Sequence, residues 1–133
     1  MATAVAHRVQ MRWQDLDALG HVNHNVVLTY LEEGRDAFLA QRGIGRDNYV
    51  VAGCSVNYLA EIDPGQDEVM VECGVGRLGR SSITTSERIV GGDEEVLVEA
   101  EFALVLWDPE RRSSRPITDD ERSALAAGTE DAR

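Results

Sequence analysis

A chain of 133 residues is long enough for one hydrophobic core and too short for two. Its formal net charge of -11 and pI near 4.6 repel a phosphate backbone, so nucleic acid is not an expected partner. No run approaches the roughly 18 apolar residues that cross a bilayer, so no membrane span or membrane partner is expected either.

The start, Met1-Ala-Thr-Ala-Val-Ala-His-Arg, carries neither a basic leader nor an apolar signal core, which makes the cytoplasm the expected location. From Ala4 to Trp13 polar and apolar residues alternate, with Val5, His7, Val9, Met11 and Trp13 on one face, and predict a strand. Gln14 to His24 breaks that alternation with Asp, Gly, Asn and His, the residues of turns and caps, and predicts an ordered loop. Val27, Tyr30, Leu31, Gly34 and Phe38 then recur at helical spacing. They predict a helix from about Asn25 to Arg42, with Asn23 or Asn25 as N-cap and Gly43 just past its end. Glycine inside a helix costs about 1 kcal/mol relative to alanine, and Gly34 on the apolar face points to close packing against a sheet.

Four strand candidates follow: Val50 to Asp63, Glu68 to Gly79, Ser82 to Val90 and Glu95 to Trp107. The last has the clearest period of two, with Val96, Val98, Ala100, Phe102, Leu104 and Leu106 on one side. The connections Asp63-Pro-Gly-Gln-Asp67 and Gly91-Gly-Asp-Glu94 are too short for a parallel crossover, so the sheet should be antiparallel. Cys54 and Cys73 lie in these apolar runs without metal or redox spacing and are expected to be buried, reduced thiols. Thr118 and Glu121 have capping-box spacing and predict a short helix to about Ala127. The expected architecture is one α+β domain over residues 1–127: a five-stranded antiparallel sheet wrapped around one long helix, a short C-terminal helix, and a frayed tail at 128–133.

The segment Arg12-Trp-Gln-Asp-Leu-Asp-Ala-Leu-Gly-His-Val-Asn-His-Asn25 places two carboxylates, two histidines and two asparagines before a helix. Unpaired N–H groups at a helix N-terminus can stabilise an oxyanion. A carboxylate beside them can attack a thioester carbonyl or take a proton from water, and the residues leave both roles open. The same residue types also serve as ordinary turns and caps. His21 and His24 form a His-x-x-His pair without a third ligand at recognised spacing, so no metal is expected, and no other cofactor.

The pattern Asp15-x-Asp17-x-x-Gly20-His21-Val22-Asn23-His24, followed by Tyr30-Leu31-Glu32 and Arg35, resembles the signature of the 4-hydroxybenzoyl-CoA thioesterase-like branch of the hot-dog superfamily, over nearly the whole chain to about Glu121. The resemblance implies hydrolysis of an acyl-CoA thioester to a carboxylic acid and free coenzyme A. Asp17 would be the catalytic carboxylate and Asp15 a supporting or structural residue. The backbone N–H that polarises the carbonyl would fall on His24, with its imidazole assisting. Gly20, Val22 and Asn23 would complete the site entrance, and Glu32 and Glu33 the solvated helix face. Arg77, Arg80, Ser81 and Ser82 would cradle coenzyme phosphates, giving the local basic patch that an acidic chain needs. Asn57 and Tyr58 are further pocket candidates. A homodimer or homotetramer sharing its pockets is implied as well. Leu19 and His24 depart from common family variants and leave the acyl group open. The alternatives are an acyl-carrier-protein thioesterase and a module that binds acyl-CoA without turning it over.

Overall fold

The computed structural model describes residues 5–63, 65 and 67–131, with the backbone alone for residues 14 and 127–131. Ala4 of the expected first strand, Pro64 and Gln66 of the expected hairpin connection, and Ala132 and Arg133 of the expected tail lie outside the described residues. The elements in chain order are β1 (Val5–Gln10), a 3-10 turn (Trp13–Asp15), α1 (His24–Ala40), β2 (Tyr49–Tyr58), β3 (Glu68–Leu78), β4 (Ser82–Val90), β5 (Val96–Asp108), β6 (Ser113–Ser114) and α2 (Asp119–Asp131).

The period of two read along β5 is the one that buries it: Val98, Phe102, Leu104 and Leu106 face inward with Ile83 and Ile89 of β4 and Val69, Val71 and Cys73 of β3. All pairings among these strands are antiparallel, in the order β1-β3-β4-β5-β2. The sheet has six strands rather than the expected five, because β6 pairs Ser113 and Ser114 with Asp108 and Trp107. Two residues carry no readable period, which is why this strand is invisible in the sequence.

The inner face of the sheet receives α1 through Val27, Tyr30, Leu31, Phe38 and Leu39. Gly34 meets the sheet where expected: an added Cβ would stand 2.7 Å from Cβ of Val71, inside any real contact. Arg35, also buried, forks onto Glu87 of β4 at 2.9 and 3.1 Å, and Thr85 donates a third bond to the same carboxylate at 2.6 Å. Burial opposes the Arg35 charge, but Glu87 outweighs it and holds the guanidinium protonated over the Phe102 ring. At the helix end Ile44 N–H donates back to Leu39 O at 3.0 Å, just past Gly43.

Several expectations are corrected. The apolar face of β1 does not extend to Trp13, which starts the 3-10 turn and is 87% exposed; His7 is exposed too. The second expected strand stops at Tyr58, five residues short of Asp63, and α2 runs past Ala127 to Asp131. Cys73 is buried, which together with Glu87 pushes its thiol up, but Cys54 is exposed, on the edge strand β2.

Candidate active site

The chain leaves β1 and is folded back by its own polar groups. Asp15, 6% exposed, accepts the N–H of Arg12 at 2.9 Å and the hydroxyl of Tyr30, on α1, at 2.5 Å. Asp17 N–H donates to His21 O at 2.7 Å, Asn23 N–H donates to Asp15 O at 3.1 Å, and Leu16 bridges Val22. These bonds close a tight loop, and Gly20 turns its tip at φ +77°, a conformation that glycine adopts without penalty. Inside the loop Oδ1 of Asp17 accepts the N–H groups of Leu19 at 2.9 Å and His21 at 3.1 Å. Among the described residues Oδ2 of Asp17 has no donor, so on this exposed residue one oxygen is anchored and the other is left open.

The loop runs directly into α1. Asn23 is the N-cap: its side chain accepts the N–H of Asn25 at 2.9 Å, and its carbonyl accepts those of Val26 and Val27 at 2.9 and 3.2 Å. The first-turn N–H that remains without an acceptor among the described residues is that of His24. A helix N-terminus carries about half a positive charge, concentrated on such open N–H groups.

Next to this terminus lies a depression of about 350 Å³. Its base is apolar, from Val27, Ile62 and Val98, all buried, with Val22, Leu59 and Ala60 around them. His21, His24, Tyr58 and Glu61 supply its polar groups. The Tyr58 hydroxyl donates to His24 O over a long 3.4 Å, and His21 Nε2 lies 3.2 Å from Glu61 Oε1.

Asp17, Gly20, Val22, Asn23, His24 and Tyr58 are thus gathered at one end of the sheet. Asn57 is not with them: it lies beside Ser55, Arg88, Glu99 and Glu101 along a separate, polar groove. Glu33 is engaged with Arg12 at 3.2 Å, and Glu32 is exposed. Among the described residues no three His, Cys, Asp or Glu side chains converge as a metal-ligand set.

Arg77, Arg80, Ser81 and Ser82 stand at the other end. β3 enters the sheet beside the loop, where Met11 N–H donates to Asp67 O, and leaves it at Leu78. Its eleven residues span roughly 35 Å at about 3.3 Å each, so the arginine turn of one protomer is far from its own Asp17. That turn is well built: Arg122 donates to Gly79 O at 3.0 Å, and Ile117 N–H donates to Arg80 O at 2.8 Å. Two contacts at the site were missed in the sequence, Asp15 with Tyr30 and His21 with Glu61. Each joins separate elements, and no local spacing announces it.

A family model described as the thioesterase-like superfamily matches residues 11–125, and the chain belongs to that superfamily. By class it is a thioester hydrolase with the hot-dog fold. A Thermus thermophilus thioesterase complexed with coenzyme A and Zn is 30% identical, with a TM-score of 0.83 over 97% of this chain and 96% of that one. A predicted thioesterase of Bacillus stearothermophilus is 25% identical, with a TM-score of 0.83 over 94% and 96%. A 1,4-dihydroxy-2-naphthoyl-CoA thioesterase of Synechocystis, 15% identical, shares the fold with a TM-score of 0.78 over 92% and 96%.

Proposed function

We propose that the chain hydrolyses acyl-CoA thioesters, with Asp17 as its catalytic carboxylate and the His24 N–H as its oxyanion donor. The observation that carries this reading is the pairing of two open groups on one short segment: Oδ2 of Asp17, and the one first-turn N–H that Asn23 leaves uncapped. The acyl chain lies in the depression against Val27, Ile62 and Val98, with the carbonyl oxygen on the His24 N–H. Oδ2 of Asp17 then attacks the carbonyl carbon, or takes a proton from a water that attacks it. In the first route the carbon–sulfur bond breaks to leave an anhydride between the acyl group and Asp17 and the coenzyme A thiolate; water then hydrolyses the anhydride, which frees the carboxylic acid, restores the Asp17 carboxylate and gives the thiolate its proton. In the second the water oxygen bonds to the carbonyl carbon, the carbon–sulfur bond breaks, and the proton taken up by Asp17 passes to the leaving thiolate. The His24 imidazole, on the same turn, assists by orienting water or the substrate.

Coenzyme phosphates are assigned to Arg77, Arg80, Ser81 and Ser82, and their distance from Asp17 makes the partner protomer their source. The exposed edge of β2 supports an oligomer: among the described residues the N–H and C=O groups on its side away from β5 face no strand, and Val50, Val51, Tyr58 and Leu59 lie exposed along or just beyond it.

The test is thiol release, followed with a chromogenic thiol reagent, from short, medium, long-chain and aromatic acyl-CoAs. Asp17→Asn is expected to lower kcat by about 10²- to 10⁴-fold with fold and oligomer unchanged. Turnover that survives the substitution would reject Asp17, and silence of the wild type across the panel beside tight acyl-CoA binding would favour a binding module.

A further inference from the structure

Beside Asp17, hydrolysis does not require a second carboxylate at the acyl pocket, yet Glu61 lines it. It lines the depression three residues after the end of β2, with its side chain 57% exposed, and its Oε1 lies 3.2 Å from His21 Nε2. The contact ties the strand end to the loop that carries Asp17. Glu61 also borders a second hollow, lined by Asp63, Asp93 and Glu95, so the negative charge continues outward from the pocket.

From this arrangement we propose that Glu61 selects the acyl group: neutral aliphatic acyl groups are accepted, and acyl groups that end in a carboxylate are turned away. The proposal rests on reading the depression as the acyl site. A neutral chain gains from covering Val27, Ile62 and Val98 and meets no opposing charge. A dicarboxylic acyl group of the same length must bring its terminal carboxylate past Glu61, where like charges repel. The apolar base alone would also disfavour a charged terminus, because burying it strips its water. Replacing Glu61 with its uncharged isostere separates the two causes, and its exposure makes Glu61→Gln a mild change to the fold.

The experiment compares kcat/KM for hexanoyl-CoA and adipoyl-CoA, six carbons each, in wild type and Glu61→Gln. The wild-type ratio is expected to favour hexanoyl-CoA by at least about tenfold, equivalent to about 1.4 kcal/mol. In the variant the ratio should fall several-fold, through faster adipoyl-CoA turnover. Equal use of both substrates by the wild type, or the same ratio in the variant, would overturn the role of Glu61 while leaving thioester hydrolysis intact. Absence of thiol release from every acyl-CoA would instead remove the hydrolase reading and this inference with it.

Discussion

Tyr30 reaches from α1 to the Asp15 carboxylate, two residues before Asp17, and both groups are buried. Burial first, and the bond to Asp15 second, push the Tyr30 phenol well above its usual range, so it stays a donor throughout the working pH. The bond pins the loop to the same helix whose first N–H is open, which fixes Asp17 relative to that N–H. Tyr30→Phe leaves a buried carboxylate short of a donor and should destabilise the fold by about 1–3 kcal/mol. It should also lower kcat about tenfold with little change in KM, because a loosened loop misplaces the carboxylate without touching bound substrate. Denaturant melts and steady-state kinetics check the pair of effects, and a stability loss with unchanged kcat would make the bond purely structural. The N-cap at Asn23 was legible because capping chemistry acts over two or three residues. The partners of Asp15 and His21 were not, since they lie 15 and 40 residues away and are set by how α1 and the end of β2 meet the loop.

At the scale of elements, α2 acts as a buttress for the arginine turn. Its capping box is complete: Glu121 accepts Thr118 N–H at 3.0 Å, and Thr118 Oγ1 accepts Glu121 N–H at 3.1 Å. Arg115 grips the same carboxylate at 2.8 and 2.7 Å. Arg115, with the Thr118 bonds assisting against burial, holds Glu121 below its ordinary value of 4.5. A carboxyl with a depressed folded pKa contributes stability that is fully present above the unfolded value and is lost as pH falls through the folded one. The start of α2 should therefore loosen in acid, below about pH 4.5, and Glu121→Gln should remove most of that pH dependence. Amide exchange of Arg122 to Leu125 across pH 3 to 6, corrected for intrinsic rates, reads this directly; protection that does not change over that range would refute it. The capping box could be read from Thr118 and Glu121 because it is local, as could α1 and β5 from their unbroken periods. The end of β2 could not, because an open edge strand mixes apolar and polar residues on both faces, and Trp13 could not, because a 3-10 turn interrupts the alternation it seemed to continue.

At the scale of the molecule, strand order decides which candidates share a site. Exposed Arg46, Arg77, Arg80, Arg111 and Arg112 lie toward the end where β3 turns into β4, and Asp17 and His24 lie at the other. A two-fold pairing of β2 with β2 of a second copy runs the strands antiparallel, which sets the arginine end of each protomer level with the loop end of its partner. It also covers the exposed Val50 and Val51. If each site takes Asp17 from one protomer and Arg80 from the other, two inactive variants can repair each other. Asp17→Asn and Arg80→Ala subunits, each weak alone, form mixed dimers in which one site carries both defects and the other carries neither. Random assembly makes half of the dimers mixed, so equal co-expression should recover about one quarter of wild-type kcat/KM. Purification on two different tags, which selects the mixed dimers, should raise that to about one half. Activity that never exceeds the average of the two parents would mean that Asp17 and Arg80 do not serve one site across the interface, and the coenzyme would then have to be held by residues near the loop itself.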